Sequence, residues 1–276
     1  MSLADYMALD GPSPRAHIAY GSAPSQYVEL FEPSGKGPFP VVALVHGGCW
    51  SSELGGIRQM HNIAGALLGY GIATWNVEYR RIDEQGGGYP GTYEDINRAF
   101  DLLRAKAGLY NLDASRIVAM GHSAGGHLVQ WVAGRSRLPK SSPLYDATPI
   151  ALREVVSLGG LADLRGQRDR IARVCGVPDG ALTGQPNAAR PDVFSDTSAA
   201  ALIPNGSHTL LINGELDVIS PPSVAAAYAE LAWRAGDRVE TIVLPDASHF
   251  DEVAASSPSW NRILPIILRA FDSRPR

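Results

Sequence analysis

Only two cysteines, Cys49 and Cys175, occur among the 276 residues. That is too few for a disulfide framework, so unpaired thiols and a reducing, cytoplasmic setting are expected. Long apolar runs are also missing. No stretch approaches the roughly 20 residues that span a bilayer, and the first residues lack the basic and apolar segments of a secretory leader. Charge of neither sign dominates: 24 Lys and Arg stand against 28 Asp and Glu, a net charge of −4. This gives no electrostatic footing for nucleic acid or an anionic membrane, and a small-molecule substrate is the expected partner. Assembly as a homodimer is left open. No internal repeat or low-complexity tract is visible, which excludes a solenoid.

What the sequence does have is a rhythm. Apolar runs at 41–45, 72–77, 116–121, 154–159, 208–213 and 240–245 are rich in Val, Ile and Leu and do not alternate with polar residues. Strands covered on both faces read this way. Between them lie helical patterns. Ile96, Ala99, Phe100 and Leu103 form one apolar stripe within 92–106, while 221–236 opens on prolines and closes on glycine. A last helix is expected over 260–271, kinked at Pro265, and 26–33 reads as an antiparallel edge strand. The order predicts an α/β fold with a doubly wound, mostly parallel sheet in one domain over 1–276. Residues 160–207 break the rhythm and read as a small cap or a set of binding loops.

The most specific stretch is "RIVAMGHSAGGHL" at 116–128, a strand, then Gly121-His122-Ser123-Ala124-Gly125, then a helical pattern. This is a nucleophile elbow in its required context, with glycines where the turn is too tight for side chains. A nucleophilic Ser123 needs a base and an acid to orient it. His249 follows the strand at 240–245, whereas His208 lies at the start of a strand, the wrong end. Asp217 follows the strand at 208–213 and is the preferred acid, with Glu215 the alternative; Asp246 reads as a turn residue. The glycines of "VVALVHGGCWSS" at 41–52 mark a backbone that something approaches closely, and they and the residue after the serine are where backbone donors for an oxyanion belong.

Together, "HGGCW", "GHSAGGHL" and "SHFDEV" resemble the α/β-hydrolase-fold serine hydrolases, in particular the arylformamidase (kynurenine formamidase) and small-carboxylesterase branch. The resemblance implies Ser123 as nucleophile, Asp217 as acid and His249 as base, with Gly48, Cys49 and Ala124 supplying the oxyanion donors. No cofactor or metal is implied. In the related hormone-sensitive-lipase group a third glycine usually stands at position 49 and an aspartate at 122, so Cys49 and His122 depart from that pattern. Cys49 is expected to act through its amide, not its sulfur. Trp50 and His122 are candidate pocket-lining residues, although packing explains buried aromatics and histidines more often. His122 and His127 do not read as a metal cluster. The arginines at 165, 168, 170 and 173 read first as a solvated helical face and second as a carboxylate anchor. The expected activity is hydrolysis of small carboxylic esters, with N-formyl amides next and a non-catalytic ligand-binding protein as the other class.

Overall fold

Five of the six apolar runs become the parallel centre of one eight-stranded sheet, and the sixth, at 240–245, forms its parallel edge. A computed structural model describes residues 1–272 of the chain. In order its elements are α1 (Leu3–Met7), β1 (Ala16–Ala19), β2 (Tyr27–Phe31), β3 (Phe39–Val45), α2 (His61–Leu68), β4 (Ala73–Val77), α3 (Gly91–Lys106) and β5 (Leu112–His122). There follow α4 (Ala124–Ala133), β6 (Glu154–Leu158), α5 (Arg168–Cys175), β7 (His208–Gly214), α6 (Pro222–Arg234), β8 (Arg238–Leu244) and α7 (Trp260–Asp272). The strands lie in the order β1-β2-β4-β3-β5-β6-β7-β8. From β4 to β8 every pairing is parallel, while β2 runs antiparallel to both its neighbours.

Burial on both faces explains the unbroken apolar runs of the interior strands, whereas the run at 240–245 lies on the edge strand β8, where burial alternates and Val243 is exposed. On β3, Val41, Ala43 and Val45 face one core, shared with Ile96, Phe100 and Leu103 of α3 and Leu128 and Val132 of α4. Val42 and Leu44 face the other, against Ile63 and Leu67 of α2 and Ile263 and Ile267 of α7. The stripe read from α3 is therefore its buried face. The helix expected at the end of the chain runs on through Pro265.

Two features depart from expectation. The strand within 26–33 is antiparallel, but β1 pairs outside it and takes the edge. β1 is four residues long, too short to carry a period. α2, "HNIAGALL", was not anticipated: its eight residues are mostly apolar and include a glycine, which leaves little amphipathic contrast. The segment 160–207 holds α5 and a short 3₁₀ turn at Ala199–Leu202. Buried Asp196 fastens it, accepting from Ser142 Oγ at 2.7 Å, Tyr89 Oη at 3.2 Å and Arg190 Nε at 2.9 Å. Trp131 Nε1 and His127 Nε2, both on α4, donate to the carbonyls of Asp196 and Thr197 at 2.9 and 2.8 Å. None of the described helices is long and apolar enough to cross a membrane.

Where β5 meets α4 the backbones nearly touch. A Cβ on Gly121 would lie 2.2 Å from the Gly125 carbonyl oxygen, and one on Gly125 would lie 2.1 Å from that of Val45. Neither obstacle is a side chain that can swing away. Gly125→Ala should therefore lower the unfolding free energy by about 1–3 kcal/mol, read as a reduced urea midpoint at unchanged slope.

Candidate active site

The tight β5–α4 junction puts Ser123 in a conformation that few non-glycine residues adopt, with φ 53° and ψ −116°. A single residue turns the chain from strand to helix, so its side chain stands out at the carboxyl end of the sheet. Gly47 lies directly opposite: a Cβ there would be 3.0 Å from Ser123 Cβ and 2.9 Å from His122 Nδ1. The glycine pair read from the sequence thus brings bare backbone beside the candidate nucleophile.

Loops after β7 and β8 bring the other two candidates together. His249 Nδ1 donates to Asp217 Oδ2 at 2.7 Å, and both residues are buried. With Nδ1 carrying the proton, Nε2 is left as the acceptor, and among the described residues it has no hydrogen-bond partner. The other carboxylate oxygen, Oδ1, accepts the N–H groups of Ile219 and Ser220, both at 2.8 Å. Burial pushes the Asp217 carboxyl up, but the hydrogen bond and charge of His249, with those two N–H donors, outweigh it and hold it below the usual range. Glu215 turns elsewhere and accepts the Asp246 N–H at 3.3 Å. Asp246 itself sits in a turn at φ 58°, and His208 lies on β7 between Glu154 and Glu240, at 2.9 and 3.0 Å.

The N–H groups of Gly48, Cys49 and Ala124 have no acceptor among the described residues. The loop presenting the first two is braced from below. His46 Nδ1 lies 2.8 Å from the Gly47 carbonyl and Nε2 lies 2.7 Å from Glu78 Oε1. In a trans peptide the carbonyl and the following N–H point opposite ways, so fixing the Gly47 carbonyl toward His46 turns the Gly48 N–H away from that ring. Burial pushes the Glu78 carboxyl up, and the charges of His46 and Arg81 more than reverse this. Asp83 closes the far side, accepting from the N–H of Ser52 at 3.0 Å.

Three expectations need correction. Cys49 and Cys175 are not free thiols: they form a disulfide that ties this loop to the end of α5. Trp50 and His122, offered as pocket-lining residues, are 0 % and 1 % exposed. Trp50 packs edge-on against His127, and His122 Nε2 donates to the His249 carbonyl at 3.1 Å. Burial, with the neighbouring His249, keeps His122 uncharged, well below the ordinary histidine range. His127 is likewise pushed down, to about 4, by burial. Of the arginines in the insertion, Arg165 and Arg168 pair with Asp192 and Asp179 at 2.5 and 2.6 Å, and Arg170 reaches the Val218 carbonyl at 3.4 Å.

Sequence reasoning passed over Glu78, Gly159 and Glu252. Gly159 had a signal, a glycine pair ending the run at 154–159, and a Cβ there would lie 2.8 Å from His249 Cε1. Glu252 had none beyond its place three residues after His249. His122, His249 and Glu252 together offer metal-type donor atoms within 4.8 Å of one another. Asp217 holds Nδ1 of His249 and a carbonyl holds Nε2 of His122, while His122 Nδ1 and Glu252 Oε2 have no hydrogen-bond partner among the described residues.

Residues 28–230 match the family model BD-FAE. The chain is 26% identical over 254 residues to a probable isoprenylcysteine alpha-carbonyl methylesterase of Oryza sativa subsp. japonica, covering 85% of this chain and 57% of that protein. It is 30% identical over 142 residues to esterase EstD of Thermotoga maritima, covering 46% of this chain and 33% of that one. It thus spans well under two thirds of these curated relatives. Among solved structures, esterase B from Lactobacillus rhamnosis, inhibited by a tributyrin phosphonate, superposes with a TM-score of 0.80 at 19% identity, over 98% of this chain and 89% of that one. At such identity the likeness shows the shared fold, the α/β-hydrolase sheet expected from the sequence.

Two outcomes follow from this geometry. A histidine kept neutral by the fold protonates first in the unfolded chain, so between pH 6.5 and 4 the unfolded state binds the extra proton and stability falls as pH falls. For His127 the loss should approach about 3 kcal/mol across that window, and His127→Gln should flatten the corresponding part of a stability–pH curve from urea melts. Because the disulfide closes a loop across a separation of 126 residues, Cys175→Ser should cost about 2–4 kcal/mol of stability, read by the same melts.

Proposed function

The chain belongs to the BD-FAE family, an esterase-type domain of the α/β-hydrolase fold, and from that premise we propose that it cleaves small carboxylic esters through an acyl-enzyme. The observation carrying this reading is the 2.7 Å bond from His249 Nδ1 to Asp217, which leaves Nε2 unprotonated and free to accept a proton. In this mechanism His249 takes the Ser123 proton as the serine oxygen attacks the ester carbonyl. Asp217, held ionised, stabilises the imidazolium that forms. The N–H groups of Gly48, Cys49 and Ala124 accommodate the negative charge on the former carbonyl oxygen, each such donor being worth about 10²–10³ in rate. His249 returns the proton to the leaving alkoxide, then activates the water that releases the acid.

Esters are favoured over N-formyl amides because two of the arginines that would anchor an amino-acid carboxylate already face Asp192 and Asp179. The likeness to a probable methylesterase of rice and to esterase B accords with this. The substrate is a small molecule and the site needs no cofactor. A cytoplasmic setting rested on unpaired thiols, and their pairing removes that support, since such bonds persist in oxidising surroundings.

Ser123→Ala should lower kcat/KM for p-nitrophenyl acetate by at least about 10⁴-fold and abolish labelling by a fluorophosphonate probe. Residual wild-type turnover in that variant would sink the mechanism. A wild-type protein that binds ligand but resists the probe would instead be a binding protein. A panel of p-nitrophenyl esters of increasing chain length alongside N-formylkynurenine separates esterase from formamidase, with short esters expected to lead.

A further inference from the structure

Beside the Asp217–His249 pair sits a third acidic residue that the mechanism does not use. Glu252, fully buried, lies in the 3₁₀ turn Asp251–Val253 just after His249. Its Oε1 accepts the Gly214 N–H at 2.6 Å. Gly214 ends β7, and its carbonyl accepts the Asp217 N–H at 3.1 Å, so Glu252 grips the residue from which the acid's turn begins. Its Oε2 has no hydrogen-bond partner among the described residues. That oxygen and the His249 ring crowd the same space above Gly159: a Cβ there would be 2.6 Å from Oε2 and 2.9 Å from His249 Nδ1.

Two carboxylates cannot share this space ionised without a cation beside them. Asp217 faces Glu252 from the loop after β7, His249 from the loop after β8 and His122 from the end of β5. Asp251, in its own turn, is already bound by the amino group of Met1 at 2.9 Å. No Lys or Arg among the described residues pairs with Glu252 or Asp217. Asp217 has the stronger claim to the charge, with His249 and two N–H donors on it, whereas Glu252 has one N–H. We propose that Glu252 is a positioning residue, a neutral carboxylic acid whose Oε2 proton is directed to Asp217, leaving that carboxylate as the single negative charge behind His249. Burial first, and then the charge of Asp217, push the Glu252 carboxyl well above the ordinary range, in keeping with this. The donated hydrogen bond moderates the basicity of Asp217 and, with the Gly214 bond, fixes its turn. The role rests on the hydrolase reading above; the protonation does not.

The two parts are tested separately. The infrared spectrum of the whole protein at pH 7 should contain the C=O stretch of a buried protonated carboxylic acid that is missing in Glu252→Gln. Its absence from the wild type would overturn the proposal whether or not the protein is an esterase. On p-nitrophenyl acetate, Glu252→Gln, a neutral isostere, should keep kcat/KM within about threefold and leave the acid limb of its pH profile in place. Glu252→Ala should lose about tenfold or more and move the acid limb to higher pH, because an Asp217 without its donor favours the imidazolium. An acid limb that moves to lower pH in Glu252→Gln would mean that a negative charge was removed, and would also overturn it. Equal melting temperatures for wild type and Glu252→Gln confirm that the comparison is between folded proteins. Failure of the wild type to hydrolyse any ester would count against the hydrolase reading and leave the infrared result standing.

Discussion

At the carboxyl edge of the sheet, the first turn of α4 rests on the carbonyl oxygens of Val45 and His46 with no side chain between them. Glycine at 125 permits that approach, and glycine at 121 and 47 permits the matching ones. The Ser123 part of the candidate site is placed by this backbone contact. It accompanies the strained turn at Ser123 and sets the start of α4 against the end of β3, from which the Gly47–Gly48–Cys49 loop leaves. Strain at a single residue persists because β5, α4 and the loop after β3 over-determine it.

Charge is arranged around that scaffold with equal economy. Two buried histidines outside the His249–Asp217 pair, His122 and His127, are kept neutral and used as hydrogen-bond donors to carbonyls. Each buried acid near the serine has its own partner: Asp217 takes His249, Glu78 takes His46, and the proposed neutral Glu252 avoids the need for one. A single ionised carboxylate behind His249 is what a base of this kind requires, since a second would overstabilise the imidazolium.

The insertion at 160–207 is held by different means at its two ends. Asp196 and the donors on α4 anchor its later part through hydrogen bonds to a rigid helix. Its one regular helix, α5, is joined covalently at Cys175 to Cys49 and touches the loop of Asp217 through Arg170. The helix therefore bridges the candidate oxyanion loop and the acid's loop, so anything that shifts α5 acts on both.

Much of this was legible in the chain. The five interior parallel strands declared themselves because burial on both faces demands continuous apolar runs. The tight turn at Ser123 declared itself because the elbow demands glycine at fixed spacing, and the loops that carry His249 and Asp217 followed from which end of a strand each one trails. Those are local requirements, written in neighbouring residues. What tertiary structure alone decided are the contacts between residues far apart in sequence: the pairing of His249 with Asp217 and not Glu215, the Cys49–Cys175 bond, the burial of Trp50 and His122, and the placement of Glu252 on the Gly214 N–H above Gly159. No local pattern encodes these, because they depend on how loops from different strands converge in space, and a side chain's partner there is set by distance and dielectric, not by its neighbours along the chain.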